Sequence, residues 1–118
     1  LKDVKVRIPS SIGWGQMITK TCEVSAGLWN EEFLSWGAED CEFYYRLNLF
    51  GFKVGRVIDD IYHFEHGRTF NSHYHNPKFQ DNDRLWNWIR TQDKESLTQY
   101  YAKLDYIKRR GKELNASL

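Results

Sequence analysis

Two adjacent carboxylates, Glu39 and Asp40, follow a tryptophan and a glycine in the run Trp36-Gly37-Ala38-Glu39-Asp40. A carboxylate in this setting can take a proton from a sugar hydroxyl, while the indole ring stacks on the flat C–H face of a sugar. Gly37 has no side chain, so a ligand can approach the backbone closely. The run therefore indicates general-base chemistry on a saccharide, although two acids are also an ordinary beginning for a helix.

The four histidines lie in one short stretch downstream of these acids. His63 and His66 are three residues apart, and their rings converge on one ion if the chain turns there but point to opposite faces in a regular strand. Imidazole suits Mn²⁺, Zn²⁺ and Fe²⁺, and Mn²⁺ also accepts oxygen ligands. His73 and His75 lie in a polar loop and are either surface residues or further ligands.

The periodicity of apolar residues predicts which elements position these side chains. A helix is predicted over residues 39–50, with acids at its first turn and a glycine after its end; its apolar stripe contains Phe43, Leu47, Phe50 and Tyr44. Further helices are predicted at 83–91 and 96–110, and strands at 1–8, 52–58 and 61–66. Residues 16–22 suit either a strand or a short helix, and residues 27–37 and 67–81 are predicted loops. Interleaved helices and strands predict an α/β or α+β fold.

Bulk composition excludes several classes of protein. The net charge of +1 is too small to attract nucleic acid electrostatically. No apolar run is long enough for a transmembrane segment. Two cysteines are too few for a disulfide framework or a cysteine-based zinc site, which favours a reducing, cytoplasmic location. The basic run Lys108-Arg109-Arg110 is read as a helix end, with association to a membrane surface as the alternative.

The longer pattern that surrounds the acids resembles the C-terminal half of GT-A glycosyltransferases. It consists of Gly27-Leu28-Trp29-Asn30-Glu31-Glu32-Phe33-Leu34-Ser35-Trp36-Gly37-Ala38-Glu39-Asp40, then Glu42-Phe43-Tyr44-Tyr45-Arg46-Leu47 and Gly51. It is similar to the galactosyltransferase C-terminal domain and to family 2 transferases, which share a Trp-Gly-x-Glu-Asp motif. The resemblance covers about residues 12–68, with Leu28-Trp29 as a minor departure.

The resemblance implies a role for each matching residue. Asp40 would be the catalytic base, and Glu39 would bind the acceptor. Trp36 and Gly37 would form a wall for the acceptor and donor sugars, and Gly13 and Gly15 would lie near the donor sugar. His66 and His63 would hold Mn²⁺ or another divalent cation. The implied activity is inverting transfer of a sugar from a nucleotide-sugar donor to a saccharide acceptor.

One departure from the family bears on how the chain is organised. GT-A enzymes hold the metal with an Asp-x-Asp motif in an N-terminal nucleotide-binding half, and the one similar run here, Asp81-Asn82-Asp83, follows the histidines. Residues 1–80 are therefore expected to be the acceptor-side and metal-side segment of a longer enzyme, and 81–118 a helical extension of the same domain. Alone the chain should be inactive, and apolar surface left exposed could make it a homodimer.

A non-enzymatic alternative stays open at this point. The histidines also suit a zinc-binding module, and the aromatic content of 16% also suits a carbohydrate-binding one. Tight zinc binding that is lost on changing His73 and His75 would favour the zinc module. Weak Mn²⁺ binding that depends on His63 or His66 would favour an incomplete transferase site.

Overall fold

A computed structural model describes residues 16–56, 67, 69–72 and 75–105. This part of the chain contains four helices: α1 (Lys20–Ser25), α2 (Glu39–Leu49), α3 (Phe79–Ile89) and α4 (Lys94–Lys103). It contains no strand, so the predicted α/β fold is wrong for the part of the molecule that can be described. No helix in these ranges is both long enough and apolar enough to cross a membrane.

The absence of a strand in the segment after α2 has a physical reason. Residues 52–56, which were predicted as part of a strand, form irregular chain. Phe52 and Val54 still alternate inward and pack against buried Ala26, Phe43 and Leu47, so a core contact accounts for the alternation. A strand also requires a hydrogen-bonded neighbour, which alternation alone does not provide. The other predicted strands, at 1–8 and 61–66, lie outside the described residues.

The helix predictions were correct in position and less accurate in length. The predicted helix at 39–50 is α2, and the one at 83–91 is α3, which begins four residues earlier, at Phe79. The third, predicted at 96–110, is α4, which begins at Lys94 and ends at Lys103. Asp93 fixes the beginning of α4, because its side chain accepts a hydrogen bond from the Ser96 N–H at 2.8 Å. The stretch at 16–22, left undecided by the sequence, enters α1.

Helix α2 separates two apolar clusters. On one side, Phe43 and Leu47 pack with Ala26. On the other side, Tyr45 and Leu49 pack against a cluster from the loop before α2 and from helices α3 and α4; it contains Phe33, Ile89, Leu97 and Tyr101. Tyr44, which was predicted to extend the apolar stripe, is exposed instead. Because α2 contacts both clusters, its first turn has a fixed place in the molecule.

Candidate functional site

The two candidate acids lie at the first turn of α2, and each has one carboxylate oxygen held by a nearby backbone N–H. Gly37 donates to Glu39 Oε2 at 2.9 Å, and Cys41 donates to Asp40 Oδ1 at 2.7 Å. Within the described ranges, no backbone N–H donates to the other oxygen of either side chain, and the Cys41 thiol also hydrogen-bonds to the Asp40 carboxylate. Both residues are partly exposed. Each carboxylate is thus oriented by a backbone hydrogen bond and stays partly accessible to a ligand.

Trp36 is 43% exposed, and its ring stacks on Phe79 of α3 with centroids 5.7 Å apart and planes 17° apart. Gly37, next to it, is buried and has a φ of 139°. A Cβ at Gly37 would come within 3.4 Å of both Phe79 Cδ2 and Asn82 Nδ2. The space left by the missing side chain is therefore occupied by α3. The predicted role of Gly37 in a sugar-binding wall stays a prediction.

Two buried asparagines hold the loop that precedes α2. The Asn82 side chain accepts from the Leu34 N–H at 3.1 Å and donates to the Leu34 carbonyl at 2.9 Å and to the Trp36 carbonyl at 3.3 Å. Asn76 donates to the same Trp36 carbonyl at 2.6 Å. We call these four bonds between Asn76, Asn82 and residues 34–36 the asparagine clasp. The sequence reasoning missed it, because it placed Asn76 in a loop and Asn82 in an accessory extension.

The clasp holds a loop whose backbone is strained. Ser35 and Ala38 have φ values of 63° and 64°, and Leu28, earlier in the same connection, has 62°. A residue with a Cβ in this left-handed region costs about 1–2 kcal/mol. Ala38 is also the N-cap of α2, and its side chain makes no capping bond. In place of a cap, Asp40 Oδ1 accepts from the first-turn N–H of Cys41, and the hydrogen bonds of the clasp and of Glu39 offset the strain.

Comparison with known protein families gave a match. Residues 17–67 match a family model described as the N-terminal domain of galactosyltransferase. Residues 17–67 are thus similar to the galactosyltransferase family, and we call them the galactosyltransferase-related segment. The match indicates a glycosyltransferase function in general, and it contains α1, α2 and both candidate acids. Because the matched family is an N-terminal domain, the match does not support the expected C-terminal GT-A assignment. Neither the curated proteins nor the solved structures gave a match.

A buried ion pair anchors the galactosyltransferase-related segment to the rest of the molecule. Glu42 and Arg46 are both 0% exposed. Arg46 Nη2 donates to Glu42 Oε2 at 3.1 Å, and Tyr101 of α4 donates its hydroxyl proton to Glu42 Oε1. Arg46 also donates to the carbonyls of Ala26 and Leu28, each at 2.6 Å. Its guanidinium therefore joins the loop after α1 to α2, and Glu42 joins α2 to α4.

The sequence contained one signal of this pair, and the signal was easy to misread. Glu42 and Arg46 have the i, i+4 spacing of a helical salt bridge, which is typically a surface feature. Burial changes the chemistry of the pair. Removal from water raises the pKa of Glu42 above its usual value, although the Arg46 charge and the Tyr101 hydrogen bond act in the opposite direction.

The pKa of the Cys41 thiol is sensitive to the negative charges at the beginning of α2. Its pKa is raised to about 11, mainly by burial, and the charge and hydrogen bond of Asp40 and the charge of Glu39 contribute in the same direction. Cys22 and Cys41 are both free thiols. A thiol with a raised pKa is a poor nucleophile at neutral pH. Cys41 is therefore not a candidate for covalent catalysis, but it is a probe of the candidate site.

The predicted metal ligands and donor-side glycines fall outside the described residues. These positions are His63, His66, Gly13 and Gly15, together with His73. His75 is described and is exposed. In the part of the chain that can be described, no group of three or more His, Cys, Asp or Glu side chains is placed to hold a metal ion. Of the predicted site residues that the structure describes, Gly37 and Glu39 are joined by a hydrogen bond, and the histidine site stays a prediction.

Proposed function

We propose that this chain is the acceptor-side part of an inverting glycosyltransferase that moves a sugar from a nucleotide-sugar to a saccharide acceptor. The galactosyltransferase match over residues 17–67 supports the general class and suggests galactose as the transferred sugar. The proposal keeps the C-terminal, acceptor-side assignment that the Trp-Gly-x-Glu-Asp resemblance implies. It places the nucleotide-binding half elsewhere in the same protein, so we expect the 118-residue chain alone to be inactive.

The observation that carries the proposal is the arrangement of Asp40. The Cys41 N–H holds Oδ1 at 2.7 Å, no described backbone N–H donates to Oδ2, and the side chain is partly exposed. A general base needs one oxygen fixed in direction and another open to the proton that it removes. The partly exposed indole of Trp36 in the preceding loop offers a surface on which a sugar ring can stack. Glu39 Oε1 is open in the same way for a second acceptor hydroxyl.

In the proposed step, an acceptor hydroxyl gives its proton to Asp40 Oδ2, and the hydroxyl oxygen forms a bond to the anomeric carbon of the donor sugar. The bond from that carbon to the phosphate oxygen breaks, and its electron pair leaves with the nucleoside diphosphate. A single displacement of this kind inverts the anomeric configuration. A divalent cation held by His63 and His66, as the resemblance implies, would supply charge neutralisation for the leaving diphosphate.

The test uses the protein that contains this chain together with its nucleotide-binding half. UDP-galactose is the donor, and p-nitrophenyl glycosides of glucose, xylose and N-acetylglucosamine are the acceptors. Asp40→Asn should lower kcat by about 10²–10⁴-fold, because general-base catalysis contributes that much. The Kd for UDP-galactose should stay unchanged, because Asp40 acts on the acceptor.

The matched control is Asp83→Asn, the same change at an exposed position of α3 whose carboxylate contacts only Asn87 among the described residues. It should leave kcat unaltered. Near-normal turnover of the Asp40→Asn protein would refute the assignment of Asp40 as the base. Absence of transfer to every acceptor by the unaltered protein would argue against the proposed galactosyl donor.

A further inference from the structure

One peptide unit connects the asparagine clasp to the candidate acids. The carbonyl of Trp36 accepts from Asn76 at 2.6 Å and from Asn82 at 3.3 Å. The N–H of the same peptide unit belongs to Gly37 and donates to Glu39 Oε2 at 2.9 Å. Because a peptide unit is planar, fixing its carbonyl also fixes the direction of its N–H. The two asparagines thereby determine where the Glu39 carboxylate is held.

The clasp is placed where its hydrogen bonds are strong. Asn82 is 2% exposed and Asn76 is 4% exposed, so water does not compete for their amide groups. Asn82 binds both backbone groups of Leu34, which lies 48 residues away in sequence. Asn76 is itself oriented, because its Oδ1 accepts from the Lys78 N–H at 2.7 Å. Both asparagines are therefore rigid donors toward the Trp36 carbonyl.

We infer that Asn82 and Asn76 are positioning residues that set the direction of Glu39 and the placement of Trp36 for the acceptor. The catalytic consequence of this inference rests on the function proposed above. Both residues lie outside the galactosyltransferase-related segment, which ends at residue 67. The acceptor side of the site is thus completed by α3 and the turn before it. The predicted boundary between residues 80 and 81 would separate Asn76 from Asn82, although both hold the same carbonyl.

A purely structural role predicts a different result from a positioning role. If Asn82 only attached α3 to the loop, its loss would lower the stability of the whole molecule. If Asn82 positions the Trp36–Gly37 peptide unit, its loss should release the Gly37 N–H from Glu39 while the core stays intact. Amide hydrogen exchange separates the two cases, because it reports each N–H individually.

The first experiment compares Asn82→Ala with Asn87→Ala in the 118-residue chain by NMR-detected amide exchange. Asn87 is the matched control, since it is on the same helix and its side chain donates only to Asp83 among the described residues. Asn82→Ala should speed exchange at Leu34 and Gly37 by at least about tenfold, as expected for the loss of buried hydrogen bonds. Exchange at Ile89 and Leu97 should not change. Equal acceleration at all four amides, or no acceleration at Gly37, would overturn the inference.

A milder variant decides the question if the Asn82→Ala chain fails to fold. Asn76→Ala removes one donor from the Trp36 carbonyl and leaves the bonds from Asn82 to Leu34 in place. It should speed exchange at Gly37 and leave Leu34 unaffected. Acceleration at both amides, or at neither, would count against the positioning role.

The catalytic consequence is measured as galactosyl transfer by the protein that contains this chain together with its nucleotide-binding half. Asn82→Ala should raise the acceptor KM by about tenfold or more and leave the KM for UDP-galactose unchanged, because the clasp contacts only the acceptor side. An unchanged acceptor KM, or an equal rise in both constants, would overturn the inference. Failure of the proposed function would appear differently, as absence of transfer by the unaltered protein. The Gly37 exchange result would still decide whether the clasp positions the loop.

Discussion

Glu42 and Asp40 lie two residues apart at the beginning of the same helix, and their surroundings are opposite. Glu42 is fully buried, and its carboxylate is shared between Arg46 and Tyr101. Asp40 is partly exposed, and one backbone N–H holds it. Residues two apart on a helix point about 200° away from each other, so one can face the core while the other faces solvent.

The difference shows how one short run of acids serves two purposes. Every oxygen of Glu42 is engaged inside the protein, so its charge stabilises a particular arrangement of α1, α2 and α4. An ion pair that is buried this deeply is costly to break, because either partner alone is left without compensation. Asp40 is partly exposed and has an oxygen to which no described backbone N–H donates, which suits the role proposed for it. Partner number and burial, more than residue type, distinguish the anchoring acid from the candidate base.

The largest effect is expected at the buried pair. Arg46→Met leaves Glu42 without its counter-charge and removes the donors to the Ala26 and Leu28 carbonyls. The free energy of unfolding should fall by about 3–5 kcal/mol, measured by urea denaturation. Arg84→Met removes an exposed ion pair with Asp81 and should cost less than about 1 kcal/mol. Similar losses of unfolding free energy in the two variants would contradict the expectation that the buried pair contributes more than the exposed one.

A smaller loss is expected when one hydrogen bond to Glu42 is removed. Tyr101→Phe keeps the buried ring and deletes the hydroxyl that donates to Glu42. Unfolding free energy should fall by about 1–3 kcal/mol, the cost of an unsatisfied buried acceptor. Tyr44→Phe, the same change at an exposed position on α2, should alter stability by less than about 0.5 kcal/mol. A neutral Tyr101→Phe would mean that Arg46 alone compensates Glu42.

The alkaline stability of the protein tests the negative environment of Cys41. The pKa of this thiol is raised from 9.0 to about 11 in the folded chain, so unfolding between these pH values releases a proton. Stability should therefore fall as the pH rises through this window. Cys41→Ser should make the fall measurably shallower in urea titrations at pH 8, 9, 10 and 11. Identical slopes for the two proteins would contradict the raised pKa.

The smallest change in stability is expected at the candidate base. Asp40→Asn should alter the unfolding free energy by less than about 1 kcal/mol, since an exposed acid at a helix N-terminus contributes little. The same variant should lower the pKa of Cys41 and speed its alkylation by iodoacetamide in a Cys22→Ser background, because the Asp40 charge and hydrogen bond raise that pKa. Asp83→Asn should leave the alkylation rate unchanged. A rate unaffected by Asp40→Asn would show that its carboxylate does not act on the thiol.

Local sequence signals predicted the helices and the position of the acids. The spacing of Phe43 and Leu47 and the acids before them located α2, and the spacing of Leu97 and Tyr101 located α4. The strand prediction for residues 52–58 failed over 52–56, because the alternation of Phe52 and Val54 reflects packing on a helix. A periodic pattern predicts which side chains face inward, and the partner that they face lies elsewhere in the chain.

The sequence by itself determined the site's chemical groups: a tryptophan, a glycine and two acids at a helix start, within a galactosyltransferase-related segment. Only the tertiary structure decided which acid is buried, and that Asn76 and Asn82 hold the loop in front of α2. The physical reason is the range of the interactions. Helix periodicity and capping act over a few residues, whereas the Glu42–Tyr101 and Leu34–Asn82 bonds join residues 59 and 48 positions apart.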